Sequence, residues 1–154
     1  MKKGDLIAFY PTKLFERIIA RYDGKYCHIG ICLGKNGGYQ ILSMTKDGLD
    51  IKPLDFYKNK YDIFRLSLEE NEIKELIKFL LSNMPNLRYD FRGILSVIFP
   101  FIKQRSTRFY CSEFITFGLY YIGLLPDRLQ LTPLDLTNQW FCNKIDSNKE
   151  KNET

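Results

Sequence analysis

The stretch Tyr26-Cys27-His28-Ile29-Gly30-Ile31-Cys32-Leu33, then Gly34-Lys35-Asn36-Gly37-Gly38, then Tyr39-Gln40-Ile41-Leu42-Ser43-Met44 decides the fold. Two apolar runs rich in β-branched and aromatic residues flank a glycine-rich turn, the pattern of a β-hairpin. Asp47-Gly48 is a further tight-turn signal, so Leu49 to Leu54 reads as a third strand and Tyr61 to Leu66 as a fourth. Upstream, Asp5 to Tyr10 reads as a short strand ended by Pro11. Strands that follow one another this closely form an antiparallel meander.

Helical spacing takes over elsewhere. Thr12 can cap a helix with Leu14, Ile18 and Ile19 on one face and Glu16, Arg17 and Arg21 between them, closed at Asp23-Gly24. Ser67 and Glu70 have capping-box spacing, and Ile73, Leu76, Ile77, Leu80 and Leu81 form the apolar face of the helix they open. Cys111 to Leu125 reads as another helix, with Phe114, Ile115, Leu119 and Ile122 as its apolar contacts and Gly123 at its end. Thr132-Pro133 supplies a cap and a first-turn proline for a short last helix. Between these, Asn86 to Asp90 reads as a loop, and Gly93 to Ile102 is apolar but broken by Pro100. That segment suits a buried helix, a groove wall or a membrane-touching element, and a basic stretch, Lys103 to Arg108, follows it. The expected fold class is α+β: a curved antiparallel sheet of about four to six strands packed against the helix that begins at Cys111. Residues 1–146 form one domain, and the polar residues 147–154 are expected to be a disordered tail.

Composition limits the function classes. At 154 residues, 45% hydrophobic and 27% charged, the chain can bury a core without staples. The net charge of +5 comes from scattered Lys and Arg with no recognition motif, which argues against a nucleic-acid binder. The four cysteines Cys27, Cys32, Cys111 and Cys142 form no CxxC pair. With a single histidine they make a poor zinc site, and no cofactor or metal is expected. Without an apolar leader, and with no apolar run of ~18 residues, a reduced, cytoplasmic protein is expected.

Two residues carry the chemistry. His28, the only histidine, stands in an apolar strand, where an imidazole loses hydration and needs a partner. Gly30 faces the same side and leaves room for a group to approach. Cys111 stands where a helix begins, and the first-turn amides and helix dipole favour a thiolate there. A thiol at a helix start and an imidazole on a strand are the parts of a papain-like nucleophile and base, recognised by role rather than chain order. Here the histidine comes first.

In that reversed order the chain resembles the circularly permuted branch of the NlpC-type papain-like superfamily, which includes permuted amidase-like proteins and lecithin:retinol acyltransferase-like proteins. The matching residues are Gly4-Asp5-Leu6-Ile7, His28-Ile29-Gly30-Ile31, Gly48-Leu49 with Pro53-Leu54, Tyr89-Asp90, and Tyr110-Cys111-Ser112-Glu113-Phe114, spread from about Gly4 to Pro133. The resemblance implies a permuted papain-like fold and acyl transfer through a Cys111 thioester, with His28 as base. It also implies a third polar residue that orients the histidine, usually His, Glu or a neutral group on the next strand. Residues 39–44 offer no His, Glu or Asp, and Gln40 and Ser43 lie on opposite faces. Ser43 fits better through its distance to Gly48-Leu49. The backbone N–H of Cys111 is the expected oxyanion donor, with the Tyr10 or Tyr110 hydroxyl as a weaker candidate. Glu113 serves the helix dipole, and Asp5 is structural. The substrate is a peptide, a cell-wall fragment or a lipid. A lipid-directed acyltransferase or acyl hydrolase in peripheral membrane contact is one alternative, and a degenerate peptide- or lipid-binding module is another.

Overall fold

Four consecutive residues, Leu6–Phe9, are buried and form β1. A strand covered on both faces belongs at the centre of its sheet, and β1 lies between β2 (His28–Lys35) and β5 (Tyr61–Leu66). The computed structural model describes residues 1–45, 48–82, 88–89, 108–109, 111–127 and 131–148. With β3 (Tyr39–Thr45), β4 (Gly48–Pro53) and β8 (Cys142–Ser147), the sheet has six strands in the order β4-β3-β2-β1-β5-β8, every neighbouring pair antiparallel. The helices are α1 (Leu14–Asp23), α2 (Glu70–Ser82), α3 (Cys111–Tyr121) and α4 (Pro133–Thr137), and a 3₁₀ turn covers Leu54–Phe56. The α+β class and the expected antiparallel sheet are both present.

Strand alternation sorts the apolar side chains into two cores. Leu6, Ala8, Ile29, Ile31, Leu42 and Met44 meet Leu76, Ile77 and Leu80 of α2 and Phe114, Ile115 and Leu119 of α3. Ile7, Phe9, Cys32 and Ile41 meet Leu54 on the other face, with Tyr39, Tyr57 and Tyr61 packed around them. Helices α2 and α3 approach closely at Gly118, where a Cβ would lie 2.7 Å from both Leu76 Cδ1 and Leu80 Cδ2.

Several expectations need correction. Ser67 does not cap α2: its amide donates to the Phe141 carbonyl, and its hydroxyl accepts from Asn143 Nδ2. Helix α2 opens instead at Glu70, with the Glu72 carboxylate accepting from the Glu69 amide. At α1 the flanking residue is Lys13 rather than Thr12, and the Glu16 carboxylate reaches back to both amides. Helix α3 stops at Tyr121, short of Leu125, because Gly123 turns the chain at φ +77°. The expected tail starts too early: Ser147 closes β8, and the Asn148 amide donates to the Tyr61 carbonyl. Within the expected loop 86–90, Arg88–Tyr89 (β6) pairs in parallel with Arg108–Phe109 (β7). The apolar stretch Gly93 to Ile102 lies outside the described residues. The Thr132 cap holds, its hydroxyl accepting from the Asp135 amide at 3.1 Å.

Candidate active site

His28 is the first residue of β2 and pairs with Phe9 of β1, so the two side chains share a face. The imidazole is stacked with the Phe9 ring at 5.7 Å and with the Tyr57 ring at 6.1 Å, at interplanar angles of 29° and 24°. Phe9 and Tyr57 stack in turn at 4.4 Å. His28 makes no hydrogen bond among the described residues, and the residue is half-buried. Burial takes its pKa down to about 4, a fall opposed in part by the negative charge of Glu16. The imidazole is therefore neutral at pH 7, able to take a proton but not holding one.

Ser43 lies on the His28 face. Ile31 pairs with Leu42, which sets Gly30 opposite Ser43. A Cβ on Gly30 would lie 3.2 Å from Ser43 Cβ and 2.6 Å from Ile41 Cγ2, so the glycine admits β3 side chains to this face. Ser43 is fully buried, and its hydroxyl shares a hydrogen bond of 2.9 Å with the Tyr57 hydroxyl. Ser43 thus reaches His28's neighbour rather than the imidazole itself. Burial raises the Tyr57 phenol above its ordinary range; the Ser43 hydrogen bond opposes this, and negative charge on Cys111 adds to the rise. Tyr57 stays protonated, and Cys111 lies within its electrostatic reach.

Cys111 is the first residue of α3 and is 5% exposed. It packs in the core cluster that holds Ile29 and Ile31, on the face of the sheet opposite Phe9 and His28. Helix α3 lies against β2 and β3. Cys111 and His28 therefore both begin their elements, one over each side of β2. Ser112 anchors the helix start by donating to the Leu131 carbonyl at 2.6 Å, and Glu113 is buried in the first turn.

The remaining expected residues lie elsewhere. Gln40 turns away from His28, and its side-chain amide donates to the Asn36 carbonyl at 3.1 Å, closing the hairpin. The Tyr10 hydroxyl donates to Asp62 Oδ2 at 2.7 Å, which corrects its expected role as an oxyanion donor. Tyr110 lies outside the described residues. Asp5 is structural, gripped by Arg65 through two hydrogen bonds of 3.0 Å. Among the described residues no group of three or more His, Cys, Asp or Glu side chains could hold a metal, and no helix is long and apolar enough to cross a membrane.

Two features escaped sequence reasoning. Tyr57 follows the 3₁₀ turn, outside any strand whose parity could be read; its only signal was a tyrosine shortly after Pro53-Leu54. The other is Asp62, fully buried, which accepts from Tyr10, from Tyr26 at 2.5 Å, from Lys25 at 3.2 Å and pairs with Lys144 at 3.1 Å. Burial alone would raise the Asp62 pKa, but hydrogen bonds from Tyr26, Ser147, Tyr10 and Lys144 outweigh it and hold the carboxyl well below the usual range.

No family model and no curated protein matches the sequence. Among solved structures, the chain is similar to the crystal structure of the metalloprotein yiiX (DUF1105) from Escherichia coli O157:H7. The TM-score is 0.71 at 15% identity, over 94% of this chain and 96% of that one. The likeness is one of fold.

Proposed function

We propose that this chain is a thiol hydrolase of permuted papain-like fold, with Cys111 as nucleophile and His28 as its base. The observation that carries the reading is that each residue begins an element and the two elements pack together: Cys111 opens α3, and α3 packs against β2, which His28 opens. In this reading they meet around the end of β2 rather than across the sheet. First-turn amides at a helix start stabilise developing negative charge on sulfur. The neutral His28 supplies the vacancy for the thiol proton.

The chemistry follows from those roles. The Cys111 sulfur bonds to the carbonyl carbon of an amide or ester as its proton passes to His28. The Cys111 N–H stabilises the oxyanion. The bond to the leaving group breaks as His28 returns the proton to the departing amine or alcohol, leaving a thioester. Water then attacks the thioester carbonyl, giving a proton to His28. As the C–S bond breaks, that proton returns to sulfur and the carboxylic acid leaves. Tyr57 takes the place of a charged third residue as a positioning group: its ring stacks on His28 and its hydroxyl is fixed by Ser43.

The substrate class in this reading is a peptide or cell-wall amide, with a lipid ester or amide as the alternative. The metal of yiiX finds no matching cluster in the described residues here, so no step is routed through one. A binding module without catalysis is the second reading. It is favoured by one observation: Ser43 bonds to Tyr57, and His28 has no hydrogen-bonded orienter among the described residues. Hydrolysis of amide and thioester model substrates by wild type, Cys111→Ala and His28→Ala separates the two. Loss of turnover in both variants supports the hydrolase, whereas no turnover by the wild type supports the binding module.

A further inference from the structure

Away from Cys111 and His28, positive charge collects in one concave place. A groove of about 790 Å³ runs between α1 and the connection from β4 to β5, lined by Tyr10, Arg17, Arg21, Lys25, Lys58 and Lys60. Its lining includes five cations and no carboxylate among the described residues. Lys25 is paired with Asp62, but Arg17, Arg21, Lys58 and Lys60 have no ion-pair partner among the described residues. The Glu16 carboxylate beside them is taken up by the Thr12 and Lys13 amides. The two walls are fixed together: Asn59 Nδ2 donates to the Tyr10 carbonyl at 2.8 Å, and the Tyr10 amide donates to the Lys60 carbonyl at 2.8 Å. An excess of cations over carboxylates in one concave place creates a field that draws an anionic partner.

Helix α1 narrows the choice of partner. At about 100° per residue, Leu14, Arg17, Ile18 and Arg21 project within one arc of about 100°. Leu14 is 77% exposed and Ile18 44%. Large apolar side chains interleaved with arginines on the outward face of a helix match a bilayer interface. There the apolar groups enter the acyl boundary and the guanidinium groups reach the headgroups. An acidic protein or a soluble phosphate would use the charge but leave Leu14 and Ile18 uncovered.

We propose that this groove and the outward face of α1 dock the protein on an anionic phospholipid bilayer. Arg17, Arg21, Lys58 and Lys60 contact headgroup phosphates, and Leu14 and Ile18 insert. The inference stands on its own geometry and does not depend on Cys111 being a nucleophile. Docking would set the bilayer beside Tyr10, whose ring packs against the core cluster that holds Cys111.

The test is co-sedimentation of the full chain with phosphatidylcholine vesicles and with vesicles in which about one third of the lipid is phosphatidylglycerol. Partitioning onto the anionic vesicles, with little onto the neutral ones, is the expected result. It should fall about tenfold or more in Arg17→Gln/Arg21→Gln and in Lys58→Gln/Lys60→Gln, since each cation near the surface contributes roughly fivefold. Leu14→Ser/Ile18→Ser should lower it by a similar factor, while Lys78→Gln on α2 should leave it unchanged. Circular dichroism confirms that each variant is folded. Equal binding to both vesicles, no binding to either, or binding indifferent to Leu14→Ser/Ile18→Ser overturns the proposal. A dimer in sedimentation velocity that Leu14→Ser/Ile18→Ser dissolves would assign the face to a second copy of the chain instead.

Discussion

Replacing Gly30 with alanine places a methyl group against the side chains and backbone of β3. The new Cβ would lie 2.6 Å from Ile41 Cγ2, 3.1 Å from the Leu42 carbonyl oxygen and 3.2 Å from Ser43 Cβ. Carbon atoms prefer about 3.5–4.0 Å, so the Ile41 methyl must move by about 1 Å. Ile41 is fully buried and β-branched, with little rotamer freedom, and the Leu42 oxygen is backbone. Overpacking of this kind costs about 1–3 kcal/mol, and the stiff neighbours place Gly30→Ala toward the upper end. Urea unfolding should show a lower midpoint at unchanged slope. Ile41→Ala alone costs about 2–5 kcal/mol through its cavity. In the double variant Gly30→Ala/Ile41→Ala the added methyl partly fills that cavity, so the combined loss should be smaller than the sum by about 1 kcal/mol or more. Additive losses, or a Gly30→Ala protein as stable as wild type, would refute the close pairing that brings Ser43 to the His28 face.

Asp62→Asn removes the charge shared by Lys25 and Lys144, whose side chains are 43% and 47% exposed and can rehydrate. The expected loss is therefore about 2–3 kcal/mol, below that of a fully buried pair, read by urea unfolding. Because the Asp62 pKa is depressed, its contribution is present above the unfolded value of about 3.9 and is lost as pH falls below that. Acid unfolding of Asp62→Asn should lack this component. His28 has the opposite charge logic: the unfolded chain binds its proton near pH 6.5 and the folded one only near 4. Wild type should thus lose stability as pH falls from about 6.5 to about 4, by at most about 3 kcal/mol, and His28→Gln should not. Tyr57→Phe breaks the bond to Ser43 but keeps the ring; if Tyr57 positions His28, turnover falls while the unfolding free energy drops by only about 1 kcal/mol. Burial raises the Cys32 thiol and pushes Cys142 up to about 12, so both should resist alkylation at pH 7 in the folded protein and react once it is unfolded.

The sheet was legible where alternation is strict. Leu6 and Ala8 against Ile7 and Phe9, or Leu42 and Met44 against Ile41 and Ser43, could be sorted before any coordinate. The same parity correctly separates Ser43 from Gln40. Strand β8 was not legible because Cys142–Ser147 is an edge strand, largely exposed and polar, with no apolar stripe to read. Ser67 looked like a cap from spacing alone, but a long-range bond to Phe141 claims its amide. The Asp62 cluster joins Tyr10, Tyr26 and Lys144 across four strands and loops, and such a network has no local signature. For the site, the helix start at Cys111 was readable and so was a strand around His28, although that strand opens at His28 rather than at Tyr26; the stack of Phe9, Tyr57 and His28 depends on a turn whose direction only the fold determines.

Whether His28 serves Cys111 is decided by pH-resolved alkylation with peptide mass readout. Cys111 is followed against Cys27, Cys32 and Cys142 in wild type and His28→Ala. Cys111 should outpace the others near neutral pH by about a hundredfold. Removing His28 should abolish that advantage, and in wild type it should persist down to about pH 5, since His28 stays unprotonated to about 4. A Cys111 that reacts like an ordinary thiol of pKa about 8.5, or one indifferent to His28→Ala, would contradict that role for His28.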